Sequence, residues 1–176
     1  MLRNGERRAF VIHAEKACVT VFQVVTDDAM NGAADGIYAQ VSSDLAALAE
    51  TDDELAAVLA HELAHNILHH RLRLDGLSVS RGLLASFGRN ARLIRQTEIE
   101  ADRLSIYLLS RAGFDAEKGM VIWERLGRRA SGLRDTTHPQ WRERLRLMTV
   151  ERDRLRRDGN IALAADLAAA VAAASR

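Results

Sequence analysis

The stretch that most constrains the fold is residues 51–71, TDDELAAVLAHELAHNILHHR, which reads as one helix carrying His61, Glu62 and His65 in the spacing H-E-x-x-H. On a helix of 3.6 residues per turn, positions i and i+4 lie one above the other, so both imidazoles can reach one metal ion while Glu62 sits beside it. A carboxylate so placed can take a proton from an attacking water, which is the arrangement of a zinc-dependent hydrolase. Thr51 and Glu54 form the T-x-x-E pattern of a capping box, which starts the helix. Leu55, Val58, Leu59, Leu63, Ile67 and Leu68, with alanines between them, cover more than one stripe, so the helix is expected to be buried along most of its length.

A catalytic zinc needs three protein ligands and one open position, and the third ligand should come from another helix. Glu98 and Asp102 supply E-x-x-x-D at i and i+4 on a helix predicted over residues 90–112, which ends at Gly113. Glu98 would bind the metal. Asp102, one turn on, would accept the free ring N–H of a ligand histidine, taken to be His61, and fix its tautomer. Glu100 is the competing ligand, but two positions along the helix turn it away from Asp102. The plainer alternatives are incidental histidines on a packed helix and a solvated acidic face whose ion pairs contribute little. His69 and His70 continue the first helix, with His69 one turn past His65 on the same face; structural or surface roles are expected for both, and for His13 in a strand. His138 precedes Pro139, the only proline, which restricts its backbone to extended conformations. A histidine held that way could donate to the oxyanion of a tetrahedral intermediate, against the alternative of a polar loop histidine.

Around these residues the chain reads as three short strands at 10–14, 19–25 and 37–41, rich in β-branched and aromatic types, with turns signalled by Asn31-Gly32 and Asp35-Gly36. A helix is expected over 42–50. Residues 71–89, with Gly76, Gly82 and Gly88, read as a mobile connection with a short helix near Leu83. Further helices are predicted over 115–129 and 141–157, separated by a polar loop at 131–139. The 141–157 helix is arginine-rich and reads as a solvated, salt-bridged surface; a final alanine helix follows the break at Gly159-Asn160. The fold class is therefore α+β, mainly α, with a small sheet and a central helix.

At 176 residues the chain is long enough for one well-filled domain. Residues 1–50 would form the sheet and lead-in helix, 51–112 the site helices, and 113–176 the C-terminal helices. An apolar share of 48% with 28% charged residues suits a folded protein. The net charge of +1 gives no bulk reason to expect a nucleic-acid partner. Of the 25 basic residues only Lys16 and Lys118 are lysines, a bias read as that of a GC-rich genome. Cys18 is the only cysteine, which excludes an intrachain disulfide and a cysteine zinc site. No run of about 18 apolar residues marks a transmembrane segment. MLRNGERRAF lacks the apolar core of a signal peptide, so the setting is expected to be cytoplasmic unless an export signal or anchor precedes Met1.

HELAH, EIEADR and THP, in that order, resemble the HtpX-type and CAAX-prenyl-protease-type zinc metallopeptidases, a gluzincin family that includes soluble periplasmic members. The resemblance runs over residues 31–147. It implies a zincin-like metallopeptidase domain that hydrolyses polypeptides, those of misfolded or envelope proteins, in the periplasm or cell envelope. It matches His61, His65 and Glu98 to the Zn2+ ligands, Glu62 to the general base and Asp102 to the carboxylate behind a ligand. His138 matches a histidine near the metal that either stabilises the transition state or blocks the open position, and Arg144 an arginine holding the site. The strand at 37–41, with Ile37, Tyr38 and Ala39, is implied to be an exposed sheet edge that pairs with an extended peptide. This chain reads NGAADGIYAQVSS there, where the family carries N-A and paired glycines, which bears on substrate selection rather than zinc chemistry. Two readings from other classes stand beside the peptidase. One is a zinc-bearing, chaperone-like binding module of low turnover; the other is a structural helical domain that presents its arginines to nucleic acid or membrane.

Overall fold

In a computed structural model of the chain, residues 8–12, 18–26, 31–79, 88–130, 141–158 and 163–174 are described. They form a mainly helical structure with one small sheet. Strands β1 (Arg8–Ile12), β2 (Cys18–Val25), β3 (Gly32–Ala34) and β4 (Tyr38–Ser42) lie in the order β1-β2-β4-β3. β2 runs parallel to β4, with Val21 opposite Tyr38, while β3 runs antiparallel to β4, with Gly32 opposite Val41. The strand expected to be an exposed edge is thus paired on both sides. The reason is β3, the first strand of a hairpin with β4, hidden in a segment read only as turns because Gly32, Ala33 and Ala34 carry no β-branched or aromatic side chain. The edge beside the helices is β3.

The β3–β4 turn is specified locally. Asp35 Oδ1 accepts from the backbone N–H groups of Ile37 (2.9 Å) and Tyr38 (2.7 Å), and Gly36 takes φ +104, which a side chain would oppose. After β4, Ser42 caps helix α1 (Ser43–Leu48) through its hydroxyl to Leu45 N. Thr51 caps α2 (Asp52–Ile67) through its hydroxyl to Glu54 N, and Glu54 reaches back past the cap to accept from Glu50 N at 2.7 Å, a variant of the expected capping box.

The expected single helix over 51–71 is two. α2 stops at Ile67, His69 adopts the left-handed conformation (φ 48, ψ 38), and α3 (His70–Gly76) begins in a new direction. Beyond come α4 (Gly88–Ala112), α5 (Ala116–Gly119), α6 (Val121–Ala130), α7 (Trp141–Asp158) and α8 (Ala165–Ala174). Gly113, with φ +81, ends α4, and Met120 divides the helix expected over 115–129 into α5 and α6. The short helix near Leu83, the loop 131–139 with His138 and the break at 159–160 lie outside the described residues, as do His13 and the turn residues before Asn31.

α2 is enclosed by the sheet and by helices. Leu63 packs on Phe22 and Ala39 of the sheet. Val58 and Ala57 share a cluster with Val41, Leu45, Ile106, Ile122, Trp123 and Met148. Along the other flank, Ala64 and Leu68 meet Ala101, Leu104 and Tyr107 of α4, with Leu167 of α8 behind them. Ala64 and Ala101 are wholly buried, and such small side chains let the two helices approach closely enough for their polar groups to meet. At the N-terminal end Arg125 of α6 forks onto buried Glu54 (2.6 and 3.1 Å) and the carbonyl of Leu48 (2.7 Å). None of the described helices is long and apolar enough to cross a membrane.

Candidate metal centre

His61 and His65 project from one face of α2 toward Glu98 of α4. One ligand-type atom of each lies within 4.8 Å of the others. The Nε2 atoms of the two histidines are 3.1 Å apart, and Glu98 oxygens stand 3.4 Å from His61 Nε2 and 3.5 Å from His65 Nε2. All three residues are largely buried.

Behind His61, its Nδ1 lies 3.0 Å from Oδ1 of Asp102, which is fully buried. Asp102 in turn receives two hydrogen bonds from the Arg144 guanidinium of α7, at 2.8 and 2.7 Å. Arg144 stacks over the ring of Trp123 (4.4 Å), and the same ring meets His61 edge-on at 5.1 Å. Burial works against ionisation of Asp102, but the adjoining guanidinium outweighs it and holds the carboxyl below its ordinary range. Burial opposes charge on Arg144 as well, yet Asp102, Glu98 and Glu62 raise its pKa above its usual value.

The cluster fits a cation. Burial disfavours a charged His61, but hydrogen bonds to Asp102 and Glu98 outweigh this and push it up to about 10. Burial, followed by repulsion from His61, drives His65 down to about 3. With each Nδ1 turned outward to a partner, both Nε2 lone pairs and a carboxylate face the same point, a donor set of two imidazoles and one carboxylate suited to zinc.

Glu62, the residue between the two histidines, is buried and directed at the sheet edge. A Cβ built on Gly32 of β3 would lie 2.2 Å from Glu62 Oε1. The glycine therefore lets the edge strand pass directly against the carboxylate. Asn66, next to His65 and buried, fixes the strand there. Its Oδ1 accepts from Gly36 N at 2.7 Å, and its Nδ2 donates to the Tyr38 carbonyl at 3.1 Å.

Of the residues singled out from the sequence, His61, Glu62, His65, Glu98, Asp102 and Arg144 come together. Ile37 and Tyr38 lie at the β3–β4 turn and Ala39 inside the sheet, and His138 is outside the described residues. Asn66 and Trp123 carry no site reading in the sequence. His70, expected to be structural or on the surface, is 2% exposed and lies with its Nδ1 2.8 Å from His65 Nδ1. Asn66 carried a readable signal, since an asparagine inside a buried helix must find partners for both ends of its amide.

A family model described as Peptidase family M48 matches residues 4–91, half of the chain. The chain belongs to peptidase family M48. The matched part of this M48 chain takes in His61, Glu62 and His65 and ends before Glu98, Asp102 and Arg144. The HtpX-type resemblance lies in the same family. The chain is 33% identical over 118 residues to the mitochondrial metalloendopeptidase OMA1 of Schizosaccharomyces pombe, covering 54% of the chain and 35% of that protein. It is 31% identical over 104 residues to the protein of the same name from Saccharomyces cerevisiae, covering 49% of the chain and 30% of that protein. The chain thus spans about a third of the length of these relatives. Both are named as mitochondrial, which overturns the expected periplasmic or envelope setting. Ligand spacing answers to the geometry of zinc coordination, which is the same in every compartment, so motifs of this kind carry no address.

Proposed function

We propose that this M48 chain is the peptidase domain of a zinc metalloendopeptidase with a zincin-like site. In it His61, His65 and Glu98 hold Zn2+, Glu62 is the general base, and Asp102 and Arg144 orient His61. The observation that carries the reading is the convergence of two Nε2 atoms and a Glu98 oxygen within 4.8 Å, beside a carboxylate that abuts a sheet edge. The family match and the metalloendopeptidase relatives support the same class.

When bound, zinc would polarise the scissile carbonyl and lower the pKa of its water to about 7. The chain's own residues do the rest. An extended polypeptide adds to the open side of β3 by backbone hydrogen bonds, the side on which no other described strand pairs. This replaces residues 37–39 by 32–34 as the substrate strand. Because backbone pairing requires a stretch free of its own structure, the substrate class is unfolded or locally unfolded polypeptide. Glu62 removes a proton from the attacking water and delivers it to the leaving amine. Asp102 accepts the Nδ1–H of His61, which keeps the Nε2 lone pair turned inward. His138 is assigned as the oxyanion donor, a role whose loss typically costs about a hundredfold in rate.

The test is Glu62→Gln, assayed for zinc by elemental analysis and for cleavage of an unfolded protein. Zinc should be retained while turnover falls by at least about a hundredfold. Unchanged turnover with retained zinc would refute the general-base role. Full zinc with no turnover even in the native sequence would favour a binding module.

A further inference from the structure

We propose that His70, Glu100 and Arg73 form a positioning chain behind His65, the counterpart of the Asp102–Arg144 pair behind His61. The proposal rests on the reading of His65 as a zinc ligand and extends it to three residues to which the motifs give no role.

The geometry is continuous. His65 Nδ1 lies 2.8 Å from His70 Nδ1, and His70 Nε2 lies 3.2 Å from Glu100 Oε2. Glu100 is gripped in turn by Arg73 Nη2 at 2.8 Å and by the Gln96 amide, which donates to Oε1 at 2.9 Å. His70 is 2% exposed, so its two ring nitrogens have these partners and little access to water. A neutral imidazole has one donor and one acceptor, which fixes the direction of the chain. If His65 offers its Nε2 lone pair to a metal, its proton is on Nδ1 and is donated to His70 Nδ1. The His70 proton is then on Nε2 and is donated to Glu100.

The left-handed residue His69 is what makes this contact. Had α2 continued, His70 would stand five residues beyond His65 and roughly 140° around the helix from it. The φ of +48 at His69 ends α2 and starts α3 so that the His70 ring returns to His65 and meets it edge-on at 4.8 Å. A non-glycine residue in this region is uncommon and is retained where its surroundings demand it. Glu100 is turned away from the metal on α4 for the reason that disqualified it as a ligand, and this orientation takes it to α3.

The two arms share a plan. Each ligand histidine leads to a carboxylate held by an arginine, Asp102 by Arg144 and Glu100 by Arg73. An imidazole is interposed only on the His65 side. A neutral ring polarises its donor less than a direct carboxylate does, so the His65 arm should matter less than the His61 arm and still be measurable.

The experiment uses the whole chain loaded with zinc and compares His70→Phe, which keeps a ring but no acceptor, with His70→Asn, which retains an acceptor near the Nδ1 position. Zinc affinity is read by chelator competition, and ring N–H protons by NMR of histidine-labelled protein. His70→Phe should weaken zinc by about 10- to 100-fold and shift the His65 Nδ1–H signal while sparing that of His61, and His70→Asn should recover most of the affinity. Wild-type affinity and an unmoved His65 signal in His70→Phe would overturn the proposal. Should His70→Phe fail to fold, Glu100→Ala is read in the same way, since it removes the acceptor from a less enclosed position. Alanine at His61, His65 or Glu98 separates the two readings. If those variants bind zinc normally, the metal centre itself is misassigned; if they lose zinc while the His70 and Glu100 variants do not, only the positioning chain fails.

Discussion

Substituting Gly32 by alanine tests the proposed chemistry through geometry alone. Gly32 is not among the residues of positive φ, so its backbone accepts an alanine, and it retains its pairing with Val41. The obstacle is Glu62, whose Oε1 would be 2.2 Å and Cδ 2.9 Å from the new carbon. A non-bonded carbon–oxygen contact needs roughly 3.3 Å, so the carboxylate must retreat by about 1 Å. The far end of a glutamate side chain can do this without unfolding anything, so stability should change by less than about 1 kcal/mol. Zinc content should not change, since the nearest atoms to the new carbon all belong to Glu62, which is not one of the three proposed ligands. A general base displaced by 1 Å costs on the order of a hundredfold in rate. The assay is steady-state cleavage of an unfolded protein, paired with zinc analysis and urea denaturation. Wild-type kcat in a folded, zinc-loaded Gly32→Ala protein would refute the assignment of Glu62 as the base beside the edge strand.

Two other outcomes follow from the buried charges. Arg144→Met takes from buried Asp102 the guanidinium that donates two hydrogen bonds to it and leaves His61 as the remaining partner, so metal-free protein should lose up to about 3 kcal/mol in urea denaturation, and an unchanged stability would contradict the burial of this pair. Glu100 is opposed by burial, yet His70 and Arg73 hold it down to about 2 against an ordinary 4.5, so its contribution is complete above about pH 5 and is lost as pH falls toward 2. That contribution is at most about 3 kcal/mol. Glu100→Gln should therefore be less stable than the native sequence at pH 7, with the gap falling to less than half by about pH 3 and closing toward pH 2, and a constant gap would exclude the linkage.

The sequence revealed what repeats locally and concealed what depends on a change of direction. The capping box of Thr51 and Glu54, the i, i+4 histidines and the Glu98–Asp102 pair are all properties of a single helix, and each is found on the expected element. Helical spacing placed Asp102 behind a ligand histidine without choosing between the two, and the structure sets it 3.0 Å from His61 Nδ1. What was hidden lies where periodicity stops. The contact of His70 with His65 was hidden because nothing in ILHHR announces a left-handed residue at His69. β3 was invisible because small residues carry no strand signal, and that made the central strand β4 look like an edge. The arginine bias, read as a mark of genome composition, also has a structural use. Arg125 on Glu54, Arg144 on Asp102 and Arg103 on Glu151 and Asp166 each join separate helices through a fork that lysine cannot reproduce.

The short edge strand β3 has a consequence for how such a protein survives its own surface. An open strand edge is a template for uncontrolled association, and proteins ordinarily blunt it with charge, proline or a covering element. Here the residues Gly32, Ala33 and Ala34 are small and uncharged, and the side facing away from β4 bears no other described strand. If Glu62 acts as proposed, a chain that adheres to this edge is severed and leaves in pieces, so colloidal stability and turnover become the same property. Disabling the carboxylate would then do more than stop hydrolysis: it would turn a self-clearing edge into an adhesive one, on which captured segments accumulate.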